Sequence, residues 1–347
     1  SEPLVQDPVA MAFDENGVLF VVEYPEFNHY RIPREAQRTG RVRRLQDTNG
    51  DGRFDKATVF VEVPFATAVI CYKSGVFVAA PPDILYCRDD DGDGIADEKR
   101  VVLTGFGRDF AGGGLLNSFR WGIDNRIHMA TGFAGGRVRR PEQLDAEAVD
   151  IRGRGVILDP QTLEFELTSG GGQHGLAMDD QGRKFLCSNV YPLQQLLYAD
   201  RYTARNPFFA PPAPARDINA ENPLALLNRI SPLEPWRIAR SRIAADGERK
   251  DGEEARSGGV FTSASGITMY RGDAFPEDFY GNLFVGEVAN NLVYRAKLEQ
   301  RGIQLAALRA DADGEFLASS DSWFRPVQFA NGPDGALYVV DMYRQLI

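Results

Sequence analysis

Short runs of alternating apolar and polar residues recur along this chain, separated by clusters of turn residues. Residues 8–24 read PVAMAFDENGVLFVVEY and residues 324–341 read FRPVQFANGPDGALYVVD. Each joins a short apolar segment, a turn rich in Asp, Asn and Gly, and a second apolar segment ending in an acid. Period-two alternation bounded by such turns is the signature of β-strands. The frame returns at 65–83, 117–132, 174–189 and 265–287, with turns at Gly17, Gly75, Asn125, Gly182, Gly281 and Gly335. Successive turns are 58, 50, 57, 99 and 54 residues apart, which makes six units. In the first unit VAMAF and VLFVVE are followed by GRVRRLQ and ATVFVEV; in the fifth, GITMY and LFVGE are followed by LVYRAKL and GIQLAALR. Six antiparallel four-stranded units repeated in sequence predict an all-β, six-bladed β-propeller.

Three departures from the repeat shape the expected domain. The long spacing holds an insertion at about 200–262, in the fourth blade, with seven prolines between Asn206 and Trp236. It reads as an irregular surface excursion without a core of its own. The segments PREAQR at 33–38 and PEQLDAEAV at 141–149 are short loop helices at most. The sixth unit supplies two strands and then reaches residue 347, which reads as a blade cut short in a longer chain. Residues 1–347 are otherwise expected to form a single propeller domain.

Composition narrows the function. With 39 Lys and Arg against 49 Asp and Glu the formal charge is −10, which argues against a nucleic-acid partner. No apolar run approaches the ~18 residues of a membrane span. The three cysteines, Cys71, Cys87 and Cys187, form no C-x-x-C pair or haem-attachment motif, and Cys71 and Cys87 fall on strands separated by another. Much of the acidity sits in two loops. Residues 47–55 (DTNGDGRFD) and 89–97 (DDDGDGIAD) both fit D-x-[DN]-x-D-G-x-x-D. Side-chain oxygens of Asp47, Asn49, Asp51 and Asp55, with the Arg53 carbonyl, suit Ca²⁺, as do Asp89, Asp91, Asp93 and Asp97 with the Ile95 carbonyl. The twelfth position is Thr58 or Arg100 rather than Glu, and strands flank the loops, so these are not EF-hands. They resemble the calcium-binding hairpin loops of integrin α-subunit propellers and predict structural sites in the first two blades.

In a propeller, loops after second strands and before first strands gather over the central channel. This places Glu23, Asp83, Asn189, Glu287 and Asp341 after second strands, and Arg120 with Trp121, His174 and Arg325 with Trp323 at first strands. Of the three histidines, His174 in SGGGQHGLAMD faces the expected channel mouth and is the candidate base; His128 sits inside an apolar strand. His29, near Tyr24, Phe27 and Tyr30, lies on a long loop of the same face. No G-x-S-x-G, Walker or Rossmann motif is present.

The segments GRVRRLQDTNGDGRFDKATVF, PPDILYCRDDDGDGIADEKRVVLTGFG, SFRWGIDNRIH and WFRPVQFANGPDGALYVVDMYR resemble the propeller module of large dehydrogenase-type proteins of planctomycete-like bacteria, related to glucose/sorbosone dehydrogenases. That resemblance implies a secreted or periplasmic propeller, often followed by a haem-binding cytochrome c domain. It also implies pyrroloquinoline quinone (PQQ) with Ca²⁺ over the channel and a sugar substrate. His174 would be the base, Arg120, Arg325 and Arg344 the cations for the quinone carboxylates, and Trp323, Asn189 and Asp341 further cofactor contacts. Many relatives carry a histidine just before the N-x-x-x-W-G-x-D-N segment; here Gly112–Asn117 has none. Three readings follow. One is a PQQ-dependent aldose dehydrogenase passing electrons to a cytochrome. The second is a non-catalytic, calcium-stabilised propeller that binds carbohydrate or protein. The third is a lactonase-type hydrolase with a central Ca²⁺ on Glu23, Asn189, Glu287 and Asp341.

Overall fold

The computed structural model describes residues 3–25, 39–108, 114–220, 227–239 and 259–344. The first sheet runs β1 (Pro8–Phe13), β2 (Leu19–Glu23), β3 (Arg41–Gln46), β4 (Lys56–Glu62), each strand antiparallel to the last. The second follows the same order with β5 (Ala68–Tyr72), β6 (Gly75–Ala80), β7 (Asp83–Arg88) and β8 (Glu98–Phe106). The third begins with β9 (Asn117–Trp121) and β10 (Ile127–Ala130), but the next two strands leave it. Strands β11 (Gly136–Arg139) and β12 (Val149–Asp150) extend the second sheet through β8. The third sheet then closes with β13 (Arg154–Leu158) and β14 (Phe165–Ser169). The stretch at 141–149 is thus a 3-10 turn at Asp145–Glu147 leading into a strand, while 33–38 lies outside the described residues.

The fourth sheet comprises β15 (Leu176–Met178), β16 (Lys184–Ser188), β17 (Tyr191–Leu196) and β18 (Ala215–Asp217). Strand β18 corrects the expected insertion, because 200–262 contains the blade's own outer strand. The segment before β18 opens with one helical turn, α1 (Asp200–Thr203). The fifth sheet is β19 (Ala264–Met269), β20 (Leu283–Glu287), β21 (Leu292–Arg301) and β22 (Gln304–Arg309), with β23 (Leu317–Ala318) on β21. The sixth has two strands among the described residues, β24 (Pro326–Asn331) and β25 (Leu337–Asp341).

The six inner strands close a ring. Contacts run β1 to β5, β9, β15, β19, β24 and back to β1. Second strands lie between two neighbouring sheets, so β2, β6 and β20 are buried along their whole length. That burial explains their near-continuous apolar sequence. At the turns joining first and second strands the backbone takes the left-handed conformation at Gly17, Asn125, Gly182, Gly281 and Gly335, where Gly and Asn bear it at least cost. In the second blade that role falls to Lys73 instead of Gly75. No helix among the described residues is long and apolar enough to cross a membrane.

Candidate functional site

The axial channel has two mouths. The upper one, where chain enters inner strands and leaves second strands, opens into a cavity of about 230 Å³. Val9, Leu115, Leu116, Val288, Val327 and Met342 form its apolar walls. His174, Asn117, Asn189, Arg325, Arg344 and Tyr24 bring polar groups, and among the described residues no carboxylate lines it.

His174 is held by its backbone: its N–H donates to the Cys187 carbonyl at 3.3 Å and its carbonyl accepts from Gly266 N at 2.7 Å. No hydrogen bond reaches its ring among the described residues. Burial pushes its pKa down to about 4, so the imidazole is neutral at neutral pH. Asn117 donates to the carbonyls of Leu115 (2.7 Å) and Gln173 (3.0 Å), while its Oδ1 is buried without a partner. Arg344 binds Asp7 at 3.1 Å and donates to the Pro25 carbonyl at 2.5 Å. Its Nη1 is buried and unpartnered.

Arg325 also lines the cavity, but it is not a free cation. It is only 1% exposed, and its guanidinium donates to Glu234 Oε1 (2.5 Å), the Val288 carbonyl (2.7 Å) and the Arg344 carbonyl (3.1 Å). Burial pushes the Glu234 carboxyl up, but hydrogen bonds and charge from Arg237 and Arg325 outweigh it and hold the group below its ordinary value. Arg120 faces the other mouth. It lies three residues along β9 from Asn117, about 10 Å at strand rise. There it lines a lower cavity of about 240 Å³ and donates to Gln328 Oε1 (3.1 Å) and the Phe329 carbonyl (3.3 Å). Burial lowers its pKa to about 10. Trp323 is 43% exposed beside Tyr343, outside the cavity.

The acids that end second strands act as clamps. Glu23 Oε1 accepts from Gln6 N (2.7 Å), Glu287 Oε2 from Ser263 N (3.0 Å) and Asp341 Oδ1 from Arg325 N (2.7 Å). Each ties the end of a second strand to the entry of its own inner strand. Glu23 is also paired with Arg41 and Arg43. Burial raises Glu287 to about 7 despite its backbone hydrogen bonds from Ser263, Thr262 and Ala289. Asp83 opens β7 rather than ending β6. The four oxygen groups of a central metal therefore do not converge: of Glu23, Asn189, Glu287 and Asp341, only Asn189 lines the cavity. His128 is buried and bonded to Asp124 at 3.0 Å, away from this mouth. His29, Phe27 and Tyr30 lie outside the described residues.

The two acidic loops are equivalent hairpins, β3–β4 and β7–β8. Asp47 accepts from Gly50 N and Gly52 N as Asp89 does from Gly92 N and Gly94 N, within 2.7–2.9 Å. Asn49 accepts from Asp51 N, as Asp91 does from Asp93 N. The carboxylate of Asp51 accepts from Arg53 N, and that of Asp93 from Ile95 N. Asp55 and Asp97 close the loops on Thr48 N and Asp90 N. In the second loop, oxygens of Asp89, Asp91 and Asp97 lie within 4.8 Å of one another.

This ring of radial antiparallel sheets around a polar-tipped axial cavity defines a β-propeller. The same fold is found in a solved putative oxidoreductase (glucose dehydrogenase) from Thermus thermophilus, with 17% identity, a TM-score of 0.56 and coverage of 97% of this chain and 91% of that one. It is found again in the PQQ-bound aldose sugar dehydrogenase of Streptomyces coelicolor, at 16% identity, a TM-score of 0.52 and coverage of 97% and 89%. No curated protein sequence matches the chain. Across residues 1–347 it matches the family described as Domain of unknown function (DUF7133), and it belongs to that family.

Proposed function

We propose that the upper cavity is the active site of a PQQ-dependent aldose dehydrogenase of the secreted or periplasmic space, which passes electrons to a cytochrome. The observation that carries this reading is His174, a neutral imidazole with no ring partner among the described residues, in a cavity on the propeller axis that no described carboxylate lines. A flat tri-acid fits the chemistry of these walls. The apolar side chains accept a ring, no carboxylate of the described residues repels it, and the buried Arg344 Nη1 offers a donor for one of its acid groups. Asn117 Oδ1 and Asn189 offer neutral oxygens for a hydroxyl or a cation. Bound PQQ would supply the two-electron acceptor that the side chains lack. His174 would take the proton of the substrate hydroxyl.

One observation favours a second reading, binding without catalysis: both arginines of the cavity already carry ion-pair partners, Glu234 and Asp7. The lactonase reading lacks its ligand set. Titration of the chain with PQQ, followed by absorbance and then by dye reduction with a panel of aldoses, separates the first two. Saturable PQQ binding with sugar-dependent dye reduction supports the proposal. Sugar binding with neither quinone binding nor turnover selects the binding-only propeller.

The equivalence of the two acidic loops supports Ca²⁺ as a structural ion in each, far from the channel. At ~100-fold excess over its dissociation constant the ion adds roughly 2.7 kcal/mol per loop. The thermal midpoint should therefore fall when a chelator is added and recover with Ca²⁺. Asp89→Asn combined with Asp97→Asn should remove about half of that response. A midpoint indifferent to chelator would overturn the assignment.

A further inference from the structure

Each pair of neighbouring blades shares an apolar cluster, and one of the six is depleted. The interface of blades 5 and 6 buries Tyr270, Phe284, Val293 and Phe329, and that of blades 6 and 1 buries Met11, Leu19, Val21, Leu45 and Val340 among others. The cluster at the interface of blades 3 and 4 is the smallest, Ala130, Leu176 and Leu186, with Leu196 packed against it. A cavity of about 420 Å³ occupies the remainder.

The cause is legible at one position. Two residues after the turn Gly or Asn, four blades carry Leu19, Ile127, Leu283 and Leu337; the fourth blade carries Lys184. A lysine where the repeat calls for an apolar residue forgoes core burial, a departure that marks functional sites. The other charges around this cavity are matched. Arg126 bridges Asp124 and Glu166, both at 2.9 Å, and Arg183 binds Asp179 at 2.5 Å. Arg201 stands 3.9 Å from Glu166. Lys184 has no hydrogen bond or ion pair among the described residues. Asp124 and Glu166 line the cavity with four cations; with Asp179 counted as the partner of Arg183, three of the cations are balanced and Lys184 holds the excess charge. Ile157, Leu167, Met178 and Leu196 wall the same space.

We propose that the cleft between blades 3 and 4 is a second small-molecule site, which takes an amphipathic monocarboxylate with its head on the Lys184 ammonium and its tail on the apolar wall. Asp124 and Glu166 act on this ammonium only at a distance, and a directly bound carboxylate would relieve its desolvation. Burial lowers Lys184 to about 8, and the bound anion would raise it again. The single excess charge selects a monoanion, because a dianion would meet Asp124 and Glu166 uncompensated.

Calorimetric titration of the intact chain with hexanoate, octanoate and hexanol tests this. Octanoate should bind saturably, roughly 15-fold tighter than hexanoate at the usual gain per methylene. Hexanol should bind at least ~10-fold more weakly than hexanoate, for want of the charge-assisted contact. Lys184→Met should cost octanoate a similar factor, and Lys184→Arg should restore most of it. If Lys184→Met fails to fold, acylation of Lys184 by an amine-reactive reagent decides. Protection by octanoate supports the site and unchanged labelling overturns it. Absence of saturable binding, equal affinity for hexanol, or an indifferent folded Lys184→Met would each overturn it as well.

Discussion

Arg325→Met should lower the stability of the ligand-free chain by roughly 3–5 kcal/mol, the usual cost of breaking a buried ion pair from one side. The substitution preserves much of the aliphatic volume, so the loss is electrostatic. Glu234 would keep Arg237 at 2.7 Å but lose its buried partner, and the Val288 and Arg344 carbonyls would lose their donors. Each lost hydrogen bond is worth about 1 kcal/mol, more for a charged donor. Glu234→Gln in the same chain should recover part of the loss, because it removes the stranded charge, and a double-mutant cycle by urea unfolding measures that coupling. The experiment also distinguishes two roles for Arg325. A cation reserved for a cofactor carboxylate would reduce cofactor affinity and leave the ligand-free chain intact. The geometry predicts the reverse order of effects, since Arg325 pins the insertion's Glu234 to the entry of β24. Unfolding midpoints equal to those of the wild type would refute it.

Why this staple escapes a reading of the sequence is a matter of distance along the chain. Arg325 and Glu234 are 91 residues apart, and Glu234 lies in a segment without strand periodicity. The blades are legible for the opposite reason. Their hairpins are local, and alternation plus a turn Gly or Asn suffices to place β1 with β2 or β19 with β20. Legibility fails where a strand chooses a distant partner. Strands β11 and β12 follow β10 directly, yet β11 pairs onto β8 and β12 onto β11, which depends on the open edge of the second blade. Strand β18 has only the residues Ala-Arg-Asp and no apolar alternation to announce it. Arg120 is misplaced by a strand's length: counted as an entry residue, it sits far enough along β9 to reach the opposite mouth. His174 and Asn189 are placed well because each stands immediately at a strand end. Lys184 carried a usable signal, a charge at an otherwise apolar repeat position, but it appears only when the units are compared residue by residue.

His174→Ala should reduce any sugar-dependent turnover by about 10²–10⁴-fold, the range for loss of a general base, and leave quinone affinity far less affected. The pH profile makes this specific to His174. Its imidazole is depressed by burial to about 4, so the base stays neutral well into the acid range. The acid limb of kcat/KM should fall near pH 4 rather than near the ordinary histidine value of about 6.5. Stability should carry the matching signature. A folded pKa below the unfolded one means that the unfolded chain binds more protons between these two values. His174 therefore destabilises the native state progressively as pH falls from about 6.5 through 4. Removing the ring removes that penalty. His174→Ala should thus lose activity yet lose less stability than the wild type on acidification from pH 6.5 to 4.5. Glu287 works in the opposite direction, since its carboxyl is raised to about 7 and its contribution declines as pH rises through that value, but it is common to both proteins. Their difference isolates His174. An acid limb that remains near pH 6.5, or a variant with unchanged turnover, would transfer the base role to another group.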